Sequence, residues 1–235
     1  MYILAIETTG PLCSVALLEK NKILDIMNTS EQKNHLRDLI PLIKELLISN
    51  NIEKSQIDYM AASVGPGSFT GIRIGISTAR ALAQVLEIPA VSVPTLDAFR
   101  KKPLSSGEKN CVICGIINAR RGQVYGMIDG FMNGCACMMT DVLDVIERDV
   151  VSNGLHVKFF GDGIDAYSQM ITERLGKDSF DFADKNVRYQ DAASVGLLAY
   201  EKIAAGEVIN AEELLPDYMR KAEAQQKLEA GEIRF

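Results

Sequence analysis

The feature that most constrains the fold of this chain is a repeated order of predicted elements. The hydrophobic pattern predicts three strands, a helix, a strand and a helix within residues 2–101, and the same order again within 111–175. A polar segment rich in Pro, Ser and Gly, residues 102–110, separates the two runs. The repeat predicts an α/β protein with two similar lobes, each a mixed sheet with flanking helices, and a ligand cleft between them.

The pattern also sets expected bounds for the elements and domains. Strands are expected at 2–7, 14–18, 23–27, 59–64, 90–93, 111–118, 123–128, 135–139 and 157–160. Helices are expected at 70–87, 95–101, 142–148, 166–175 and 191–205, besides an early helix with a capping box at Thr29 and Gln32 that ends near Asn50. We expect an N-terminal lobe at 1–103, a C-terminal lobe at 104–214 and a helical tail at 215–235.

Composition and charge exclude several classes of protein. Apolar residues make up 47% and charged residues 24%, which excludes a disordered tail protein. No apolar run reaches the roughly 18 residues that cross a bilayer, and no export signal is visible, so we expect no membrane association and a cytoplasmic location. The net charge of −6 is concentrated after residue 110, so any nucleic acid would have to be bound through a partner.

A glycine-rich stretch follows the predicted strand at 59–64. The loop between Gly65 and Gly71 has the position of a phosphate-binding loop, although a tight turn without a ligand is the favoured explanation. Glu7 ends the first strand and either holds Mg²⁺ through water near a nucleotide or is a solvated acid. We expect no cofactor. The alternative is ATP or ADP with magnesium, held by Glu7, Thr8, Thr9, Gly65, Gly67 and Ser68.

The predicted helix at 70–87 carries a stripe of small residues. Gly71, Gly75, Ala79 and Ala83 recur every four residues, and glycine inside a helix costs about 1 kcal/mol relative to alanine. Close approach of another backbone is the usual compensation, and that backbone belongs either to the chain's own sheet or to a partner helix. The apolar face of the preceding helix would supply such a contact.

Histidine and cysteine argue against a metal site. The chain has two histidines, and His35 is followed four residues later by Leu39 rather than by a second histidine. His35 is therefore expected to be a surface helix residue. Cys111 and Cys114 point to opposite faces of their predicted strand, so no zinc site is expected.

Six segments together resemble a known family, the TsaB (YeaZ) family. They are residues 3–9 (ILAIETT), 13–17 (CSVAL), 65–75 (GPGSFTGIRIG), 93–96 (VPTL), 118–125 (NARRGQVY) and 216–220 (PDYMR). The resemblance implies an actin-like ATPase fold of two ribonuclease-H-like lobes, within the ASKHA superfamily. It also implies a degenerate, noncatalytic relative of the enzyme TsaD that pairs with TsaD through helices of the N-terminal lobe.

The same resemblance implies a role in tRNA modification. The family's complex, which the ATPase TsaE joins, transfers threonylcarbamoyl from threonylcarbamoyl-AMP to the adenosine 3′ of the anticodon. The catalytic relative binds metal through a His-x-x-x-His pair, and here Leu39 stands at the second histidine. Glu7 and Asn118 also stand where relatives have aspartate, which weakens nucleotide or metal chemistry in this chain.

These expectations define a partner interface and its alternatives. We expect a TsaD-like subunit, or a second copy when the chain is alone, to contact Leu36, Leu39, Ile40, Ile43, Gly71, Arg73, Gly75, Thr78 and Ala79. The alternative functions are a stand-alone actin-fold ATPase or small-molecule kinase and, against the histidine count, a metalloprotease.

Overall fold

Two five-stranded sheets organise the computed structural model, which describes residues 1–29, 34–104 and 110–219. The strands are β1 (Tyr2–Glu7), β2 (Ser14–Glu19), β3 (Lys22–Asn28), β4 (Ile57–Gly65), β5 (Ala90–Pro94), β6 (Cys111–Arg120), β7 (Gln123–Ile128), β8 (Met132–Met138), β9 (His156–Phe160) and β10 (Phe180–Phe182). The helices are α1 (His35–Ser49), α2 (Phe69–Leu86), α3 (Thr95–Ala98), α4 (Met139–Val145), α5 (Gly163–Leu175) and α6 (Ala192–Ala204).

The two sheets have the same topology, which confirms the duplication expected from the sequence. The first sheet has the order β3-β2-β1-β4-β5. The second sheet has the equivalent order β8-β7-β6-β9-β10. In each sheet the first strand pairs antiparallel with the second and parallel with the fourth. The α/β fold of two mixed sheets with flanking helices is therefore confirmed, and β10 is a strand that the sequence analysis missed.

The first sheet is covered on both faces because its central strands are apolar on both. Leu4 and Ile6 of β1 pack into a core cluster with α1 and α2, whereas Ile3 and Ala5 pack on the opposite face with α6. In the second sheet, α4 and α5 cover one face. A further cluster joins the lobes, since Leu96 and Phe99 from the first run pack with Ile113 and Ile117 from the second.

Helix α6 packs on the first lobe, which changes the expected boundary between the two lobes. Residues 104–214 were expected to form the C-terminal lobe, but α6 packs on β1 and β2, and Leu214 is buried in the first-lobe core. The physical reason is that one face of the first sheet would otherwise be uncovered. Of the tail expected at 215–235, residues 215–219 contain no helix, and residues 220–235 lie outside the described part of the chain.

Two other expectations concern the early helix and membranes. Helix α1 begins at His35 after Asn34, which makes no side-chain capping bond, and Gln32 of the expected capping box lies outside the described residues. Within 1–29, 34–104 and 110–219, no helix is long and apolar enough to cross a membrane.

The stripe of small residues on α2 faces the chain's own sheet. Gly71, Gly75, Ala79 and Ala83 are all buried. A Cβ at Gly71 would overlap the carbonyl oxygen of Thr8, and one at Gly75 would overlap the Thr8 hydroxyl. Of the two explanations left open by the sequence, the structure therefore selects packing against the sheet rather than a partner helix.

We expect Gly71→Ala to destabilise the fold. The added methyl group would have to displace the backbone of β1, and such overpacking costs about 3 kcal/mol. Urea denaturation measures the loss. Ser77→Ala, at an exposed position of the same helix, should change the free energy of unfolding by less than about 0.5 kcal/mol. Equal stability of Gly71→Ala and wild type would contradict the close approach of α2 to β1.

Candidate functional site

A cleft of about 1270 Å³ lies where the two lobes face each other. Its first wall is formed by the turn after β1, the first residues of α1 and the glycine-rich loop before α2. Its second wall is formed by the β6–β7 hairpin and the start of α5, and residues 217–219 of the tail close one part of it. The cleft expected between two lobes is therefore present.

The glycine-rich loop between β4 and α2 packs against the turn that follows β1. Ser68 caps α2, since its hydroxyl oxygen accepts a hydrogen bond of 3.2 Å from the Gly71 N–H. The Ser68 N–H donates to the carbonyl oxygen of Thr9 at 2.8 Å. A Cβ at Gly67 would lie 2.6 Å from that same oxygen, so the loop is held against the chain itself.

Glu7 is buried at the end of β1 rather than solvated there. Its side chain is fully buried, and its two carboxylate oxygens accept hydrogen bonds from the Thr9 N–H and the Ser63 hydroxyl. Burial raises the pKa of Glu7, against the opposite effect of these hydrogen bonds. The expectation of a solvated acid is thus wrong, whereas the magnesium-binding alternative stays a prediction, for a carboxylate whose two oxygens already accept hydrogen bonds.

The neighbouring threonines are buried as well. The Thr8 hydroxyl donates to the carbonyl oxygen of Gly71 at 2.7 Å, and the Thr9 hydroxyl lies 3.3 Å from that of Thr95. Of the six residues expected to bind a nucleotide, Glu7, Thr8 and Thr9 therefore have their side chains engaged inside the lobe. Gly65 is also buried, while Thr9, Gly67 and Ser68 line the cleft.

His35 differs from its expected place on the surface. The residue is 8% exposed, and its Nε2 lies 3.1 Å from the carbonyl oxygen of Gly10. Its Nδ1 is buried without a hydrogen-bond partner in the described part of the chain. The imidazole therefore joins α1 to the turn after β1. The apolar spacing of α1 gave no sign of this contact, because the spacing of one helix does not show which loops pack against it.

Asp162 on the opposite wall was missed by the sequence analysis. It lies two residues after the end of β9, and its Oδ1 accepts a hydrogen bond of 3.1 Å from the Asn118 N–H. The Asn118 side-chain oxygen accepts in turn from the Arg120 N–H at 2.8 Å. Burial raises the pKa of the Asp162 carboxyl. The signal in the sequence was an acidic residue between two glycines after a buried strand, a position comparable to that of the glycine-rich loop after β4.

The nine residues expected at a partner interface divide into two groups. Five are buried in the first lobe and present no contact surface, which corrects that part of the expectation: Leu39, Ile43, Gly71, Gly75 and Ala79. Four remain accessible, namely Leu36, Ile40, Arg73 and Thr78. The reason is that the stripe of α1 starting at Leu39 packs on the sheet, while the adjacent stripe starting at Leu36 faces outward.

The accessible residues include an apolar surface at the mouth of the cleft. Leu36 is 79% exposed, Ile40 52% and Phe69 39%, and we call these three residues the α1–α2 patch. Leu36 and Phe69 both line the cleft. The Arg73 guanidinium carbon lies 4.0 Å from the centre of the Phe69 ring, a cation–π contact.

Comparison with known proteins decides the family. The chain is 32% identical over 97% of its length to the tRNA threonylcarbamoyladenosine biosynthesis protein TsaB of Bacillus subtilis, of which it covers 97%. The chain belongs to the TsaB family. Residues 22–228 also match the family model of TsaD, tRNA N6-adenosine threonylcarbamoyltransferase.

Solved structures agree with this TsaB-family assignment. YeaZ from Pseudomonas aeruginosa superimposes with a TM-score of 0.71 at 26% identity, over 92% of this chain and 99% of that one. The (R)-2-hydroxyglutaryl-CoA dehydratase component A from Acidaminococcus fermentans shares the fold alone, with a TM-score of 0.52 at 14% identity over 87% of this chain and 99% of that chain. The actin-like fold of two lobes is therefore confirmed.

The buried Glu7 generates a prediction about pH. Because its pKa is raised in the folded state, Glu7 contributes stability that is fully present below the ordinary value of 4.5 and lost as pH rises through the folded-state pKa. The free energy of unfolding of the wild type should therefore fall over that range relative to Glu7→Gln. Urea denaturation at a series of pH values measures both. Glu45→Gln, an exposed change on α1, should keep the wild-type slope, and a wild-type slope in Glu7→Gln would refute the role of burial.

Proposed function

We propose that this chain is the noncatalytic, activating subunit of a complex that transfers threonylcarbamoyl from threonylcarbamoyl-AMP to the adenosine 3′ of the anticodon in tRNA. The observation that carries the proposal is the match to a TsaB relative over 97% of both chains, joined to the match with the TsaD family model. Catalysis is assigned to a TsaD-like partner, and an ATPase resembling TsaE joins the complex.

The residues at the positions expected to carry chemistry support a noncatalytic role. At the position of the second metal-binding histidine of TsaD stands Leu39, an alkyl side chain that is buried in the core and offers no ligand atom. The carboxylate of Glu7 is engaged by Thr9 and Ser63 inside the lobe. The part of the glycine-rich loop nearest β1 packs on Thr9. These groups act in the packing of the first lobe.

The α1–α2 patch supports docking of the partner on the first lobe. Contiguous apolar patches on a surface, rather than single exposed side chains, mark sites that bind other proteins. Arg73 and Thr78 on α2 are accessible too, so the proposed interface consists of Leu36, Ile40, Phe69, Arg73 and Thr78. The same surface would pair two copies of the chain when the partner is absent.

The charge of the chain supports binding of tRNA through the other subunits. Its net charge of −6 opposes the approach of a polyanion, since affinity for nucleic acid depends on Lys and Arg that neutralise phosphates. We assign the complex to the cytoplasm, where tRNA is modified.

The proposal is tested by charge substitutions in the patch. Leu36→Asp and Ile40→Asp place a carboxylate in the interface and should each weaken binding to a TsaD-like protein by at least about tenfold. Titration of the purified partners by calorimetry measures the affinity. Met170→Asp, at an exposed apolar residue on α5 in the other lobe, is the control and should bind as the wild type does.

Three results would contradict the proposal. Wild-type affinity in both patch variants would show that the partner docks elsewhere. Absence of binding by the wild type would remove the accessory role. Turnover of ATP by the isolated chain would instead support the stand-alone ATPase.

A further inference from the structure

The segment after α6 returns across the first lobe and ends at the cleft. Ile209 and Ala90 exchange two backbone hydrogen bonds of 2.8 and 2.9 Å, which adds this segment to the edge of β5. Leu214 is then fully buried in the first-lobe core. Residues 215–219, which we call the C-terminal strap, follow from this anchored point. The path of the strap is therefore fixed by the anchoring of Ile209 and Leu214 before it.

The strap crosses the glycine-rich loop. The Asp217 N–H donates to the carbonyl oxygen of Val64 at 2.8 Å, at the end of β4. Gly65 has a φ of +122°, and a Cβ there would overlap the carbonyl oxygen of Asp217. Glycine is therefore required at position 65 because the strap passes over it. Gly65, the first residue of the loop, thus packs against the strap.

Tyr218 then joins the strap to the first turns of α2. Its ring stacks on that of Phe69 with the centres 4.9 Å apart and the planes at 28°. The Arg73 Nε donates to the Tyr218 hydroxyl oxygen at 2.9 Å while the guanidinium covers the other ring. Met219, the next residue, packs on the cluster that joins the two lobes. One tyrosine thus fixes the side chains of both Phe69 and Arg73.

We propose that the strap, through Tyr218, is part of the surface that binds the TsaD-like partner, and that Tyr218 positions Phe69 and Arg73 for that contact. The inference rests on the proposed function, since it assigns a further element to the same interface. Tyr218 is 37% exposed and Phe69 39%, so the stacked pair extends the α1–α2 patch across the mouth of the cleft.

Two physical arguments support this extension. Aromatic residues and arginine are enriched at the energetic centres of protein interfaces, and here three such side chains form one accessible group. A preorganised group also loses less side-chain entropy when the partner binds, which increases affinity. The stack and the hydrogen bond supply that preorganisation, since Arg73 and Phe69 would otherwise be long or bulky side chains free on a helix surface.

The test compares variants of Tyr218 in the full chain. Loss of the ring in Tyr218→Ala should weaken partner affinity by about tenfold, because stacking and cation–π contacts of this kind correspond to that range. Tyr218→Phe keeps the stack but loses the hydrogen bond with Arg73, and a loss of about threefold is expected. Phe131→Ala, at an aromatic residue 40% exposed in the β7–β8 turn, is the control and should leave affinity unchanged.

Amide hydrogen exchange of residues 69–73, measured without the partner, separates positioning from direct contact. Faster exchange there in Tyr218→Ala than in wild type, together with the loss of affinity, is the expected result. Tyr218→Leu keeps an apolar cover over α2 and replaces the alanine variant if the latter melts below the assay temperature. It should also lose about fivefold or more, because it lacks the ring.

The outcomes distinguish this inference from the function on which it rests. If the wild type binds the partner and the alanine and leucine variants bind equally well, the strap is outside the interface and the proposed function stands. If affinity falls with unchanged exchange at 69–73, Tyr218 touches the partner without positioning Phe69 and Arg73, and the positioning role is overturned. Absence of binding by the wild type overturns both proposals.

Discussion

The contact between α2 and β1 is the interaction on which the first lobe depends. The Thr8 hydroxyl donates to the carbonyl oxygen of Gly71 at 2.7 Å, and a Cβ at Gly71 or Gly75 would overlap Thr8. The loop before α2 packs on Thr9, and the Thr9 N–H in turn donates to the buried carboxylate of Glu7. A carboxyl group at the end of a central strand, the usual place for a ligand-binding acid in this fold class, thereby becomes a hydrogen-bonded part of the core.

A second buried interaction joins the two segments of chain that connect the lobes. Lys102, where the chain first passes between the lobes, is almost fully buried, and its ammonium group donates to the carbonyl oxygens of Val187 and Tyr189 and pairs with Asp191. Burial of an ammonium group is costly unless oxygens replace its water, and here three of them do. The partners belong to the segment that leads back to α6. The two connections between the lobes are therefore joined to each other, which stabilises the walls of the cleft.

The sequence predicts where the strands and helices lie better than it predicts which of their side chains are buried and what those side chains contact. Strand and helix positions follow from local periodicity, so the duplicated order is recovered, while the three-residue β10 is too short to show a period. On α1, Leu36 and Leu39 both lie in apolar stripes, and only the position of the sheet decides that Leu39 is buried and Leu36 exposed. Glu7 was misjudged because Ser63, its partner, is 56 residues away. Tyr218 and Arg73 are 145 residues apart, so no local pattern indicates their contact.

The glycine-rich stretch shows why such a motif does not by itself indicate a ligand. At Gly65 the missing side chain leaves room for Asp217, at Gly67 for Thr9, and at Gly71 for Thr8. Each glycine thus has a neighbour within the chain, and the requirement for glycine follows from packing without any phosphate. In the proposed complex, a relative of a catalytic protein keeps the loop because the loop shapes the start of α2. The surface beside it, rather than chemistry in the cleft, would then be the contribution of this chain to the reaction of its partner.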